Sequence, residues 1–287
     1  MLAFAAMSLE LPRPQSFVHH GRQVAFREYG SGGRPIVLTH GLLMDGTMYA
    51  KLGRALAARG HRVLAVDMPG HGSSAQPHDM HAYSMTQFGR DVVALLDHLE
   101  LPSAVVGGTS LGANVALEVA VAWPERVRAL VLEMPVLEHG LAGAAALFVP
   151  LALALRVGGE RVMAAISSVA RRVPRLHFTA DLLLDFVRRD PGASLAVLDG
   201  VTFGRVAPPR EERMRLQHPA LIIGHPKDPI HPFSDAEMLA GELPNARLVL
   251  AQSILEWRLR PKRLDAELTT FLDVVWSTPP GAALRPA

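Results

Sequence analysis

The chain has 287 residues, 49% of them hydrophobic and 20% charged, the balance of an ordinary soluble globule with length for one α/β domain and an insertion. A formal charge of +2 is too small for a nucleic-acid footprint, and the absence of cysteine excludes disulfides, a thiolate nucleophile and cysteine-ligated metal sites. No metal or other cofactor is expected, and a reducing cytoplasm is the expected location.

Residues 1–15 read as a disordered leader, since Met1 to Ala6 lacks the basic flank and cleavage site of a signal peptide. Residues 16–29 alternate about His20-Gly21-Arg22 and predict a β-hairpin at a sheet edge. Pro35 to Thr39 is the first buried strand by its continuous apolar character, and it runs into His40-Gly41-Leu42-Leu43-Met44-Asp45-Gly46. A helix over Met48 to Ala58 ends at Gly60, and a strand over His61 to Val66 closes on Asp67-Met68-Pro69-Gly70-His71-Gly72-Ser73-Ser74. In these turns His40 and His71 read as braces rather than titrating groups.

A helix from Met85 to Leu99 leads into the stretch that organises the chain. Ser103 to Thr109 is a strand and Ala113 to Ala122 a helix, with Gly108-Thr109-Ser110-Leu111-Gly112 between them. This fits G-x-S-x-G, a turn so tight that residues flanking the serine must lack bulk, which presents Ser110 as a nucleophile above the sheet edge. The helix aims free N–H groups at the same spot, so Leu111 N–H can stabilise an oxyanion, and Leu42 N–H on the earlier loop is the second candidate donor. Gly107 to Gly112 is not G-x-G-x-x-G and no Walker lysine follows, which excludes a nucleotide-binding reading.

Arg126 to Leu132 is the next strand, leaving Glu133 at its end. From residue 136 to 217 no strand is evident, and Ala, Leu, Val and Arg with turn signals at Gly158-Gly159, Pro174 and Asp190-Pro191-Gly192 predict a helical lid. Leu141 to Val157 is nearly all apolar, broken by Pro150 and too short to span a bilayer. It is expected to wall an apolar cleft, the alternative being contact with a membrane surface; stable membrane insertion is not expected. Arg171, Arg172 and Arg175 read as a solvated basic face. The core resumes over 218–276 with a strand at Ala220 to Ile223, the loop Gly224-His225-Pro226-Lys227-Asp228-Pro229-Ile230-His231-Pro232, a helix, a strand at Ala246 to Leu250 and a last helix from Arg263 to Trp276. Residues 277–287 read as a disordered tail.

Taken together, the His40-Gly41 loop, the Asp67 to Ser74 turn, the Ser110 elbow, the late helical segment and the Gly224 to Asp228 loop resemble the α/β-hydrolase superfamily over residues 16–276. The resemblance implies a mostly parallel sheet flanked by helices and a core of residues 16–135 and 218–276. It implies Ser110 as nucleophile, Leu42 and Leu111 as oxyanion donors and Asp228 as the acid that orients a histidine. The superfamily also hosts lactonases, thioesterases, perhydrolases and carbon–carbon hydrolases, so the resemblance does not fix a substrate; the expected reaction is hydrolysis of a small carboxylic ester, lactone or thioester with an apolar moiety through an acyl-enzyme at Ser110.

One element departs from that pattern. The superfamily places its histidine after the last strand, yet that stretch reads Ala251-Gln252-Ser253-Ile254-Leu255-Glu256-Trp257-Arg258. Three alternatives stay open. His231 or His225 reaches Ser110 from the Asp228 loop, with Glu133 as a substitute acid; Glu256 itself acts as base; or hydrolysis has been lost and the pocket binds a ligand. Chain order favours His231, the only histidine after Asp228.

Overall fold

The computed structural model describes residues 11–173, 184 and 187–279. Eight strands form one sheet: β1 (Gln15–His19), β2 (Arg22–Tyr29), β3 (Arg34–Thr39), β4 (His61–Asp67), β5 (Ala104–Thr109), β6 (Val127–Glu133), β7 (Ala220–Gly224) and β8 (Ala246–Leu250). Their spatial order is β1-β2-β4-β3-β5-β6-β7-β8. β1 and β2 pair antiparallel, β2 joins β4 antiparallel, and every pair from β4 to β8 is parallel. The chain reverses direction in space between β4 and β5, and the loops after β3 and β5 therefore open at adjacent positions on the C-terminal edge.

The central strands bury both faces, so their side chains divide by a period of two between two cores. Val37, Leu64, Val106, Leu130 and Ile222 face α2 (Met85–His98) and α3 (Leu111–Ala122), where Phe88, Val92, Leu95 and Leu117 meet them. Ile36, Val63, Val105, Val131 and Leu221 face α1 (Ala50–Ala57) and the C-terminal helix, which contributes Leu264, Leu268, Phe271 and Leu272. Each such side chain, removed from water, contributes roughly 1.5–3 kcal/mol.

Between β6 and β7 the described residues hold helices and no strand: α4 (Leu141–Ala154), α5 (Glu160–Ala170), α6 (Pro191–Thr202) and the short α7 (Arg210–Arg213). After β7 come α8 (Phe233–Glu242), the short α9 (Glu256–Leu259) and α10 (Lys262–Ser277). Both ends of the helical segment are pinned. The buried Asp235 carboxylate of α8 accepts from Leu137 N at 2.7 Å, His139 N at 3.0 Å and Gly140 N at 2.9 Å. Arg213, 1% exposed, donates to Glu242 at 2.7 Å and to Glu138 at 2.9 Å.

One sequence expectation needs correction here. Pro150 does not break the first helix: α4 runs through it, since a proline removes one internal N–H and exposed helices tolerate the loss with a bend. The break falls at Val157 and Gly158, whose φ/ψ of −86°/34° and 98°/−6° leave helical space. Glycine is what makes the positive φ accessible there. By length and composition alone the 30-residue stretch Leu141–Ala170 is apolar enough to cross a membrane, but the break divides it into helices of 14 and 11 residues, each short of a bilayer's span. Arg171 and Arg172 are exposed as expected; Pro174, Arg175 and residues 1–10 and 280–287 lie outside the described residues.

Candidate active site

Ser110 sits between β5 and α3 with φ 55° and ψ −114°, a conformation a residue with a Cβ adopts only under constraint. The constraint is steric and polar. A Cβ on Gly108 would lie 2.3 Å from Thr39 O, and one on Gly112 1.9 Å from the same oxygen. Thr39 Oγ1 donates to Gly107 O at 3.1 Å and Gly112 O at 3.0 Å, while Ser110 N donates to Glu133 O at 2.8 Å. Leu43, Met134 and Lys227, each just past the end of a strand at this edge, also have positive φ. Four strained residues gathered at one sheet edge mark it as a built site.

His231 Nε2 lies 2.8 Å from Ser110 Oγ, and its Nδ1 lies 2.9 Å from Asp228 Oδ2. A carboxylate only accepts, so Nδ1 carries the proton toward Asp228 and Nε2 is left to accept from the serine hydroxyl. Asp228 Oδ1 accepts from Ile230 N at 2.9 Å and His231 N at 3.0 Å. Burial works to raise the Asp228 pKa, but the bonds and charge of His231 and the two backbone donors outweigh it and hold it at about 2.

Leu111 is the first residue of α3, so its N–H is among those a helix leaves without an internal partner. Leu42 follows the β3 loop, and both leucines line a cavity of about 250 Å³ with Ser110. The remaining wall is mostly apolar, with Met85, Val136, Leu141, Ala144, Phe148, Val201 and Ile230, and its polar members are the buried Asn114 and the exposed Thr202. Asn114 is already committed, donating to Val136 O at 2.7 Å and Val206 O at 2.9 Å and thereby tying both flanks of the helical segment to the nucleophile helix. Its signal in the sequence is slight: an amide in a helix otherwise apolar except for Glu118.

The loop histidines act as braces. His40 Nδ1 donates to Gly41 O at 2.9 Å and Nε2 accepts from Met68 N at 3.0 Å. His71 Nδ1 donates to Pro69 O at 3.0 Å and Nε2 accepts from Leu43 N at 3.2 Å. Burial lowers the His40 pKa to about 4 and holds His71 well below the ordinary value.

The other candidates lie elsewhere. His225 Nδ1 contacts Ser253 O at 2.9 Å and its Nε2 faces Glu133 at 3.3 Å, so Glu133 partners His225 rather than His231. Glu133 is buried with Thr109 Oγ1 donating to it at 2.5 Å and Arg258 at 2.5 Å. Burial raises its pKa, but the Arg258 charge and the His225 and Thr109 bonds overcome this and hold it at about 2. Glu256 bonds Arg263 at 2.8 Å and accepts from Gln252 N. The Arg263 bond lowers its pKa, the wrong direction for a base. Arg258, in the stretch where the histidine was sought, thus turns under the elbow to meet Glu133; nothing in the sequence marked it. Among the described residues no cluster of histidine and carboxylate could hold a metal ion.

The sequence matches the family described as alpha/beta hydrolase fold over residues 34–253. The chain belongs to the α/β-hydrolase fold family. Within it, the chain is 40% identical over 122 residues to the dihydrolipoyllysine-residue acetyltransferase component of an acetoin cleaving system from Pseudomonas putida, covering 42% of this chain and 32% of that one. It is 26% identical over 199 residues to a 3-oxoadipate enol-lactonase of Acinetobacter baylyi, covering 67% and 70%. The chain spans only a fifth to a third of the length of the first curated relatives it matches. In fold, this α/β-hydrolase superimposes on the enol-lactonase from Burkholderia xenovorans with a TM-score of 0.73 at 23% identity, covering 90% of this chain and 100% of the other.

Proposed function

We propose that this protein is a serine hydrolase that cleaves a carboxylic ester, lactone or thioester with an apolar moiety through an acyl-enzyme at Ser110. The observation that carries the reading is the chain of contacts Ser110 Oγ, His231, Asp228 at 2.8 Å and 2.9 Å, which opens on an apolar cavity. Ser110 Oγ attacks the carbonyl carbon while His231 Nε2 takes its proton, and Asp228 holds the imidazole and the imidazolium that forms. The developing oxyanion is stabilised by the Leu42 and Leu111 N–H groups. The intermediate collapses as His231 gives its proton to the leaving oxygen or sulfur. Water, deprotonated by the same nitrogen, then releases the acid. This route needs no cofactor.

The alternative, a ligand-binding protein without hydrolysis, rests on the absence of a histidine after the last strand; His231 at 2.8 Å from Ser110 supports the hydrolase reading over it. Treatment with a fluorophosphonate probe tests the proposal: the wild-type protein is labelled and Ser110→Ala is not. Folded wild-type protein that resists labelling overturns it.

A further inference from the structure

The α4–α5 hairpin has two apolar sides with different neighbours. Its inner side closes the cavity over Ser110 through Leu141, Ala144 and Phe148, and Arg156 anchors it by an ion pair with Asp199 of α6 at 2.6 Å. Its outer side is exposed among the described residues. Val157 at the break is 86% exposed, and Val162 and Val169 on α5 are 60% and 61% exposed, with Ile166 between them at helical spacing. Leu153 continues the surface along α4, and Leu141 both lines the cavity and is itself exposed. Exposed apolar side chains thus occur from the tip of the hairpin to the edge of the cavity, with Arg156, Glu160 and Arg161 exposed around the tip. Soluble monomers rarely show such a patch without an occupant.

Charge selects the occupant. Residues 141–173 hold four arginines against one glutamate, a net +3 beside +2 for the whole chain; Arg156 is spent on Asp199, and Arg161, Arg171 and Arg172 are exposed on or beside α5. A second copy of this chain would bring like charge against like, whereas an anionic lipid surface offers apolar depth beneath a negative plane. We propose that the α4–α5 hairpin docks on anionic membrane surfaces, lying along the interface with Val157, Val162 and Val169 immersed and the arginines among the headgroups. It lies on the surface rather than crossing it, because the break at Val157 and Gly158 divides the run and the inner side is committed to the cavity. Docking places the cavity mouth against the lipid phase, where apolar esters concentrate; this last consequence rests on the serine-hydrolase reading, the docking itself does not.

Flotation with vesicles tests the docking in the full chain carrying Ser110→Ala, which prevents hydrolysis of the lipid from confusing the readout. The protein is expected to float with mixed phosphatidylglycerol and phosphatidylcholine vesicles and to be released by high salt. Val157→Asp with Val169→Asp, at positions whose side chains pack on little, is expected to cut binding at least tenfold while circular dichroism stays unchanged. Arg161→Gln and Arg172→Gln should each weaken it about fivefold. Folded protein that ignores both vesicle types overturns the proposal. So does equal binding to phosphatidylcholine alone, or ultracentrifugation showing a dimer that Val157→Asp dissolves, since the face would then be a subunit contact.

Discussion

Asp228 and His231 stand three residues apart on one loop, and the same carboxylate binds both the imidazole Nδ1 of His231 at 2.9 Å and its backbone N–H at 3.0 Å. Acid and base are one compact turn. Pro229 and Pro232 each fix a φ, and Asp228 caps the residues between them, so the imidazole is aimed at Ser110 by short-range chemistry alone. A family member whose histidine arrives from the far loop needs two segments to meet; here β7 delivers both groups.

Removing His231 should therefore act on turnover. His231→Ala is expected to lower kcat on an activated ester by at least about 10³ with KM little changed, because proton transfer is realised in the transition state. Asp228→Asn, which disturbs the tautomer and the turn, should cost on the order of 10² to 10⁴. His225→Ala and Glu256→Gln, whose side chains point into other networks, should cost less than tenfold in kcat. Near wild-type turnover in His231→Ala would remove the assignment.

The cavity wall sets a second expectation. On p-nitrophenyl esters kcat/KM should climb with acyl length by up to about fourfold per methylene, the equivalent of ~0.8 kcal/mol, until the cavity of about 250 Å³ is filled. Phe148→Ala enlarges that space and should move the optimum to a longer chain. A series that is flat or falls from the start counts against an apolar acyl site.

Much of this was legible because it is local. The elbow follows from Gly108, Ser110 and Gly112 together with the apolar strand before them and the Ala- and Val-rich helix after, and the strands at Pro35 to Thr39 and Ala220 to Ile223 from unbroken apolar runs. What could not be read depends on the third dimension. Chain order favours His231 over His225, but which of them faces Ser110 is decided by the way the loop turns after β7, and spacing along the chain does not fix that turn. The pairing of Glu133 with Arg258 joins groups 125 positions apart. The continuation of α4 through Pro150 reflects helix-forming alanines and leucines on both sides outweighing one missing hydrogen bond.

The buried histidines predict acid sensitivity. His40 has a folded pKa of about 4 against an unfolded value near 6.5, so the unfolded chain binds the extra proton first. Its contribution is complete above about pH 6.5 and is lost as pH falls from there toward 4. Between pH 7 and 5 that amounts to about 2 kcal/mol from His40 alone, and His71 is shifted in the same direction. Urea midpoints should fall accordingly, and His40→Gln should narrow the difference between the two pH values even where it lowers both. An unchanged difference means His40 is not the titrating group.

Glu133 and Arg258 give the last prediction. Glu133 is 2% exposed, and its folded pKa of about 2 lies below the ordinary 4.5, so the ion pair contributes stability above about pH 4.5 that is lost as pH falls toward 2. Arg258→Met strands a buried carboxylate and should cost about 3–5 kcal/mol at pH 7. In that variant the largest of the effects opposing burial is gone, so the Glu133 pKa rises and the carboxyl protonates under milder acid. The deficit of Arg258→Met relative to wild type should therefore shrink as pH falls from 7 to 5, with the His40 and His71 contributions cancelling between the two proteins. Adding Glu133→Gln to Arg258→Met removes the stranded charge and should recover more than half of the loss at pH 7. If the deficit is independent of pH and Glu133→Gln restores nothing, Arg258 contributes only through packing against Trp257 and the chain around it, and the charge pair beneath the elbow carries no net stability.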